Sequence, residues 1–299
     1  MKFIDKIKWR LDFLSKIRNK NLKLIAWNLL PARSQLKEKI IFQELKKCPL
    51  IKIEKGDGKE LIFNTDLMRL AYPLSLRMSH FAGDFMYLIY PYIKNDNNEK
   101  ISLFDFFPNH EGPYENGEIK IKEGDYVIDA GANIGMFSIY ASKKVGSSGK
   151  VFSFEPISET QKLLKRNIEI NEIKNVEIIP FALGDKDGEL SFSIFPESLE
   201  CSSAFFDNEG GLEKAHQISL DQFVKENNIS KIDFIKADIE GMEKSLLVGA
   251  SETIKKFKPK LSLCTYHRLG DRELFEKMIK DFSLEYKIIK DEKKIFAWV

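Results

Sequence analysis

From residue 119 onward, short apolar runs alternate with stretches of helical, amphipathic periodicity. Helical segments separate most of the apolar runs, which predicts a mostly parallel sheet covered on both faces. The last two runs are separated only by polar turn residues and are expected to form an antiparallel hairpin. The predicted strands are Tyr126–Asp129, Lys150–Glu155, Val176–Phe181, Ile232–Asp238, Lys260–Tyr266, Glu285–Ile289 and Ile295–Val299.

The N-terminal residues have a different pattern and charge. Residues 2–18 place apolar side chains at helical spacing, residues 22–30 form a second apolar stretch, and residues 34–47 are predicted to be helical. Residues 1–39 contain eleven Lys and Arg against three Asp and Glu, a net charge of +8. One interpretation is a peripheral membrane contact through residues 1–30. The other is a pair of helices docked on the rest of the chain or on a second subunit.

Between this basic segment and the alternating region lies a stretch of mixed character. Residues 50–55 and 60–64 flank the Gly-Asp-Gly turn at 56–58, which predicts a β-hairpin. The predicted organisation is a basic helical segment at 1–48, an α+β accessory region at 49–115 and an α/β domain at 116–299.

Composition and charge narrow the class of protein. A chain of 299 residues with 43% hydrophobic content is long enough for one large domain and an accessory segment. The cysteines Cys48, Cys201 and Cys264 show no C-x-x-C spacing, which favours a reducing compartment, and no apolar run approaches the roughly 20 residues that span a bilayer. We therefore expect a cytoplasmic protein. Because the whole chain carries +2, residues 40–299 carry −6, which disfavours a nucleic-acid partner.

Two neighbouring strands end in residues typical of a nucleoside-cofactor site. The first continues into VIDAGANIG at Val127–Gly135, and the second into KVFSFEP at Lys150–Pro156. The carboxyl ends of such strands meet at one crevice, where α/β folds bind their cofactors. The residues expected around this crevice are Asp129, Gly131, Asn133, Gly135 and Glu155.

The charge and spacing of the glycine turn favour S-adenosylmethionine over a dinucleotide. The dinucleotide turn G-x-G-x-x-G presents backbone N–H groups to an anionic pyrophosphate, which Asp129 would repel. A carboxylate complements the ammonium and sulfonium of S-adenosylmethionine. Glu155 suits the two ribose hydroxyls. Gly131 is expected to let the backbone approach the ligand, and Gly135 to let the next helix pack on the strand.

Several ordered motifs resemble the FkbM family of S-adenosylmethionine-dependent methyltransferases. The resemblance implies a class I methyltransferase (Rossmann-like) α/β fold, with a seven-stranded sheet that ends in an antiparallel hairpin. It also implies that Ala182 helps to position the adenine, and that the acceptor is a hydroxyl of a sugar, a polysaccharide or a small metabolite. The motifs are EGPYE at 111–115, VIDAGANIG, the FEP turn, FALGD at 181–185, ISLDQFV at 218–224 and IDFIKADIEGMEKSLLVGA at 232–250.

Candidates for the chemistry stand at the ends of the fourth and fifth strands. Asp238 and Glu240 match the family's D-x-E-G pattern, and we expect them to bind the acceptor, act as a base or ligate a metal. Glu243 is interpreted as a complement to the helix dipole. His267 is the predicted general base because histidine titrates near neutrality, and Asp271 is placed to orient its ring. No residue is assigned to a metal, and a divalent ion is left open as a second cofactor.

A turn-rich segment and two rival functions complete the predictions. Residues 196–211 are expected to form a substrate lid beside the crevice. One rival is a methyltransferase that acts on protein or RNA, with the basic segment as a clamp. The other is a binding protein that keeps the cofactor fold without turnover. A dehydrogenase is the least favoured class, because the turn lacks the dinucleotide spacing.

Overall fold

The computed structural model describes residues 52–56, 60–65, 67–73, 114–194 and 211–299. The chain forms two compact units, Met1–Leu67 with Tyr72–Glu111, and Met68–Ala71 with Gly112–Val299. The helices predicted within 1–48 and the lid predicted at 196–211, apart from Gly211, lie outside the described residues. The domain boundaries at 48 and 115 stay predictions.

The described part of the first unit contains a short antiparallel pair. Strand β1 (Lys52–Lys55) pairs with β2 (Glu60–Asn64), so that Lys52 stands opposite Asn64 and Lys55 opposite Leu61. The predicted pairing of these two segments is confirmed.

The second unit is built around a β-sheet covered by helices. Its strands and helices alternate for most of the length of the unit, as the apolar pattern predicts. The strands that follow β3 (Arg69–Pro73) are β4 (Tyr126–Ala130), β5 (Lys150–Phe154), β6 (Val176–Ile179), β7 (Phe181–Gly184), β8 (Gly188–Ile194), β9 (Gly211–Ser219), β10 (Phe234–Ala237), β11 (Lys260–Cys264), β12 (Lys287–Lys290) and β13 (Lys294–Trp298). The helices are α1 (Met136–Val145), α2 (Ser158–Ile170), α3 (Leu220–Glu226), α4 (Glu243–Gly249), α5 (Ser251–Phe257) and α6 (Asp271–Phe282).

Seven strands form the central sheet in the order β12-β13-β11-β10-β4-β5-β6. The five strands from β11 to β6 are parallel, whereas β13 is antiparallel to both β11 and β12. Every residue of β10, and every residue but the first of β4, β5 and β11, is buried, as expected for a parallel sheet covered on both faces. The predicted class I methyltransferase (Rossmann-like) sheet with a C-terminal antiparallel hairpin is confirmed.

The direction of the strand order changes beside β4. Strands β5 and β6 continue on one side of β4, while β10 and β11 lie on the other. Open α/β sheets bind their ligands outside the carboxyl ends of the strands at such a switch point. The turns after β4 and β10 meet here, and the Asp238 N–H donates to the Ala130 carbonyl at 3.2 Å.

A second, three-stranded sheet corrects one predicted strand. The segment Val176–Phe181 was expected to be continuous, but it is split at Pro180 into β6, in the central sheet, and β7. Proline has no N–H to donate to a strand partner, so the ladder of β6 ends there. The second sheet has the order β7-β9-β8, with β7 parallel and β8 antiparallel to β9.

Helices pack on the sheet through their apolar faces. In α6, Phe275 and Ile279 lie one turn apart and are fully buried, and in α2 the buried residues include Leu164 and Ile168. None of the helices in the described ranges is long and apolar enough to cross a membrane.

Candidate functional site

The glycine turn after β4 is held against two neighbouring strands. The N–H groups of Gly131 and Ala132 both donate to the Phe154 carbonyl, at 3.1 and 3.0 Å. Gly131 has φ +75°, and a Cβ there would lie 2.0 Å from the Asp238 carbonyl oxygen. Gly131 therefore makes room for the backbone after β10, a reason for this glycine that was not predicted. Whether it also touches a cofactor stays a prediction.

The end of the turn starts α1. Gly135 has φ +95°, and its added Cβ would lie 2.5 Å from Leu164 Cδ1 on α2. This glycine thus lets the start of α1 approach α2, whereas it was expected to serve the packing of α1 on the strand. Asn133 is left-handed at φ +50°, a conformation that asparagine tolerates. Its Oδ1 is buried without a hydrogen-bond partner among the described residues, so it is available to a ligand.

Glu155 follows β5 and faces the same turn. Its Oε2 accepts the Asn133 N–H at 2.9 Å, and its Oε1 accepts the Ile157 N–H at 3.0 Å. Burial raises the pKa of Glu155 to about 7, although these N–H groups and the charge of Lys236 favour the ionised form. Each carboxylate oxygen has a second lone pair. Two acceptor sites therefore remain, which fits the predicted contact with a pair of ribose hydroxyls.

Asp129 is completely buried, and its charge is balanced inside the protein. Lys236 Nζ lies 3.0 Å from Oδ1, and Ser138 Oγ donates to Oδ2 at 2.6 Å. Lys236 also donates to the carbonyl oxygens of Ala130 and Gly131, at 3.1 and 2.7 Å. The expected direct charge contact between Asp129 and the cofactor stays a prediction. The carboxylate supports the turn through Lys236, and the charge argument against a pyrophosphate loses its strength.

Ala182 lies on β7, in the second sheet. It stands opposite Gln217 of β9 and is 5% exposed. It belongs to a buried apolar cluster with Ile157, Phe192, Ala215 and Met242, against which Ile239 of the turn after β10 packs. Apolar surfaces of this kind line nucleoside sites, but the contact of Ala182 with adenine stays a prediction.

The ends of β10 and β11 bring the three predicted catalytic residues together. His267 Nε2 lies 3.5 Å from Asp238 Oδ1 and 3.6 Å from Glu240 Oε2. On the other side of the ring, Nδ1 lies 3.0 Å from Glu243 Oε1. The His267 side chain is 6% exposed, whereas Glu240 is one-third exposed and has φ +53°. Backbone strain in a non-glycine residue is typical of functional turns.

The carboxylates around His267 change its titration. Burial alone lowers the pKa of the ring, but the Glu243 contact and the charges of Glu243, Asp238 and Glu240 outweigh it and raise the pKa to about 9. The expectation of titration near neutrality is therefore wrong. At neutral pH the ring is an imidazolium, and it gains the capacity to accept a proton only as the pH approaches 9.

Asp238 is held in its ionised form. Tyr114 Oη donates to Oδ2 at 2.5 Å, and Tyr266 Oη donates to Oδ1 at 3.0 Å. Burial favours the neutral acid, but the charges of Lys236 and His267 and the Tyr114 hydrogen bond keep the pKa of Asp238 well below its usual range. A carboxylate so stabilised is a weak base, so the base role considered for Asp238 is disfavoured.

Glu243, and not Asp271, contacts the ring of His267. Glu243, interpreted as a complement to the helix dipole, is fully buried and contacts His267 Nδ1. Asp271 begins α6, and burial together with the charge of Glu243 raises its pKa. The acid that touches the ring is thus Glu243, where Asp271 was expected.

Three residues of this cluster could supply ligands to a metal ion. One atom each of Asp238, Glu243 and His267 lie within 4.8 Å of one another. However, Nδ1 faces Glu243 and Nε2 faces Asp238, whereas one cation can bind only one nitrogen of a ring. The ring can therefore offer a cation only one of these nitrogens, and a divalent ion at this site stays a prediction.

A comparison with known protein families shows the family to which this chain belongs. A model of the methyltransferase FkbM domain matches residues 129–287, more than half of the chain. The chain belongs to the FkbM methyltransferase family. The match begins at Asp129 and includes Glu155, Glu240 and His267, so it contains both halves of the site.

Several known proteins are similar to parts of this chain. The chain is 24% identical to Methyltransferase 1 of Beauveria bassiana, over 52% of this chain and 76% of that protein. It is 27% identical to the hexuronic acid methyltransferase AglP of Haloferax volcanii, over 45% of this chain and 53% of AglP. The crystal structure of methyltransferase FkbM from Methylobacillus flagellatus is 20% identical, with a TM-score of 0.48, over 74% of this chain and 59% of that chain. This chain is thus matched to just over half of AglP and about three fifths of that FkbM structure.

Three residues of this FkbM site were not predicted in their roles. Lys236 interrupts an apolar strand, and a lysine in that position is a signal, since buried lysines are rare unless paired. Tyr114 lies in the EGPYE motif, and nothing in the sequence of that motif predicts its hydrogen bond to Asp238. Glu243 was interpreted as a complement to the helix dipole. His216 pairs with Asp187 at 2.6 Å on the second sheet and is no part of the cluster around His267.

Proposed function

We propose that this FkbM-family methyltransferase transfers a methyl group from S-adenosylmethionine to a hydroxyl of a sugar, a polysaccharide or a small metabolite. The observation that carries the proposal is the meeting of two groups of residues at the switch point of the sheet. Glu155 and the glycine turn lie on one side, and the carboxylate cluster around His267 lies on the other. The hydrogen bond between Asp238 and Ala130 joins the two turns.

Glu155, Asn133 and Ala182 are the residues that would hold the cofactor. Glu155 has two open acceptor positions for ribose hydroxyls, and hydrogen bonds to a charged group contribute about 1.5–3 kcal/mol each. Asn133 offers a buried Oδ1 that has no partner among the described residues. Ala182 contributes apolar surface for a base. When bound, the cofactor supplies a methyl group activated by its sulfonium.

The transfer requires an aligned acceptor and a place for one proton. A bond forms between the acceptor oxygen and the methyl carbon, the bond from that carbon to sulfur breaks, and S-adenosylhomocysteine leaves. Alignment of the reactants can contribute on the order of 7–11 kcal/mol. The hydroxyl proton goes to Nε2 of neutral His267, and a base in place adds about 10²–10⁴-fold. Glu240, the most exposed acid of the cluster, would bind the acceptor.

A sugar acceptor is supported by one relative and by one side chain. AglP carries the name of a hexuronic acid methyltransferase. Tyr266 lies beside His267 with ring centroids 4.2 Å apart and is partly exposed. Aromatic side chains next to a few polar groups are typical of pockets that bind small molecules.

The assay that tests this function measures methyl transfer from labelled S-adenosylmethionine to a panel of uronic acids, nucleotide sugars and oligosaccharides. We expect label on a hydroxyl of at least one carbohydrate, and release of S-adenosylhomocysteine that depends on it. RNA and a protein extract serve as rival acceptors. Label on RNA, with strong salt dependence and loss on deletion of residues 1–39, would contradict the proposal and favour the RNA rival. Cofactor binding without transfer to any acceptor would favour the non-catalytic rival.

We further propose that the protein works in the cytoplasm, without a nucleic-acid partner, and contacts membranes through residues 1–30. The +8 charge of residues 1–39 supports attraction to anionic lipid. Flotation with vesicles of phosphatidylcholine and phosphatidylserine should recover the full chain but not a chain that lacks residues 1–30. Vesicles of phosphatidylcholine alone are the control. Equal recovery of both chains would rule out this contact.

A further inference from the structure

The carboxylate of Glu243 points into the protein although it stands on the first turn of a helix. It is completely buried, and its Oε1 accepts the Ile239 N–H at 2.9 Å. The same Oε1 lies 3.0 Å from His267 Nδ1, which is an ion-pair distance, although the two groups are not aligned as a hydrogen bond. Its Oε2 is buried and has no hydrogen-bond partner among the described residues. An acid that served only the helix dipole would gain little from this burial, because a buried charge is costly unless it is paired. The partner that compensates it is the ring of His267.

A contact at Nδ1 determines what the other ring nitrogen can do. When the ring is neutral, a carboxylate at Nδ1 keeps the remaining proton on that nitrogen, which leaves a lone pair on Nε2. Here Nε2 faces Asp238 and Glu240, on the side where the two strand ends form the cluster. The orientation of the ring and its tautomer are therefore both set from Glu243.

We infer that Glu243 is a positioning residue: it holds the His267 ring and selects the tautomer whose Nε2 can accept the hydroxyl proton. The inference rests on the proposed function, since only there does Nε2 receive a proton from an acceptor. Glu243 itself touches neither acceptor nor cofactor in this scheme and acts through the ring.

A substitution at Glu243 leaves the other charged groups near His267 in place. Asp238 and Glu240 come from the turn after β10, and Asp271 comes from α6. Arg268 follows the ring in the chain and lies near Gly241. Lys236 and Lys294 act on Asp238 from β10 and β13. Removal of the Glu243 charge should therefore lower the His267 pKa without returning it to that of an isolated ring.

The test in solution uses histidine labelled with ¹⁵N and needs no acceptor. In the wild type we expect His267 to titrate well above a free histidine and, once neutral, to carry its proton on Nδ1. In Glu243→Gln the pKa should fall and the preference for one tautomer should weaken. Glu252→Gln is the matched control, because Glu252 also stands on the first turn of a short helix but is exposed and paired with Lys255. A wild-type ring with its proton on Nε2, or equal titration in both variants, would overturn the inference.

Kinetics supply the second arm. Above about pH 9, where the wild-type ring is neutral, Glu243→Gln should lower kcat by about 10²-fold or more, because the base is no longer oriented, and leave the cofactor Kd within about twofold. In a His267→Ala background the same change should cost nothing further, whereas additive losses would mean that Glu243 acts independently of the ring. If the wild type fails to bind S-adenosylmethionine, the proposed function falls, while the tautomer of His267 still tests Glu243 in the cofactor-free protein.

Discussion

The substitution Glu155→Gln separates two effects of this buried carboxylate, namely its effect on the free energy of unfolding and its effect on cofactor affinity. The substitution keeps the shape of the side chain and one acceptor oxygen but removes the ionisable group. In the folded protein, burial raises the pKa of Glu155 from 4.5 to about 7. The residue should therefore weaken the fold at neutral pH while it strengthens the hold on a cofactor, a conflict that is common at functional sites.

The stability effect has a defined sign and window. Because the folded pKa lies above the unfolded one, the folded protein binds the proton more tightly between pH 4.5 and about 7. Its contribution to stability is fully present below pH 4.5 and is lost as the pH rises through 7. A shift of this size corresponds to about 3 kcal/mol, and the variant, which has no ionisable group at this position, would show no such loss. The free energy of unfolding of the variant should thus rise relative to the wild type by about 3 kcal/mol between acidic and mildly alkaline pH.

Urea denaturation at several pH values measures this difference, and calorimetry with S-adenosylmethionine measures the binding. We expect the variant to bind the cofactor at least about tenfold more weakly, because charged hydrogen bonds contribute about 1.5–3 kcal/mol each. The control is Glu159→Gln, an exposed acid on the first turn of α2 that pairs with Lys162. A stability difference that does not change with pH would refute the reasoning about burial. Unchanged affinity would refute the ribose contact.

Other substitutions test the remaining parts of the site. Lys236→Met should lower the free energy of unfolding, measured by urea denaturation, by about 3–5 kcal/mol, because it leaves the buried charge of Asp129 without a partner. A loss below about 1 kcal/mol would contradict the pairing of these two residues. Gly131→Ala should lower both the melting temperature and the cofactor affinity, because the added Cβ meets the Asp238 carbonyl oxygen. A variant equal to the wild type would show that the turn can shift to accommodate the methyl group. His267→Ala should reduce kcat by about 10²–10⁴-fold and keep cofactor binding. Turnover equal to that of the wild type would show that His267 is not the general base. In the wild type, kcat/KM should rise with pH up to about 9, whereas a limb near 6.5 would contradict the influence of the surrounding carboxylates.

The fold could be predicted from sequence where the pattern is local. The alternation of apolar runs places the ends of β4 and β5 within one residue and those of β10 and β11 within two, because parallel strands buried on both faces are continuous apolar runs. The second sheet could not be predicted in this way. Its strands β8 and β9 pair across residues 195–210, and Pro180 divides what looks like one strand.

The sequence predicts that Asp238, Glu240 and His267 lie together, but it does not predict how the charges around them are balanced. Glu155 and His267 stand at strand ends, which sequence reveals. The burial of Glu243, the pairing of Asp129 with Lys236 and the raised pKa of His267 all come from contacts between separate strands and helices. Spacing along the chain carries no information about such contacts, so the packing partner of Gly135 and the roles of Glu243 and Asp271 were predicted wrongly.

Calorimetric titration of S-adenosylhomocysteine into the wild type and Glu155→Gln tests the central claim most directly. The account predicts one site per chain in the wild type and clearly weaker binding in the variant. No binding to the wild type, or equal binding to both proteins, would contradict a cofactor site formed by the glycine turn and Glu155.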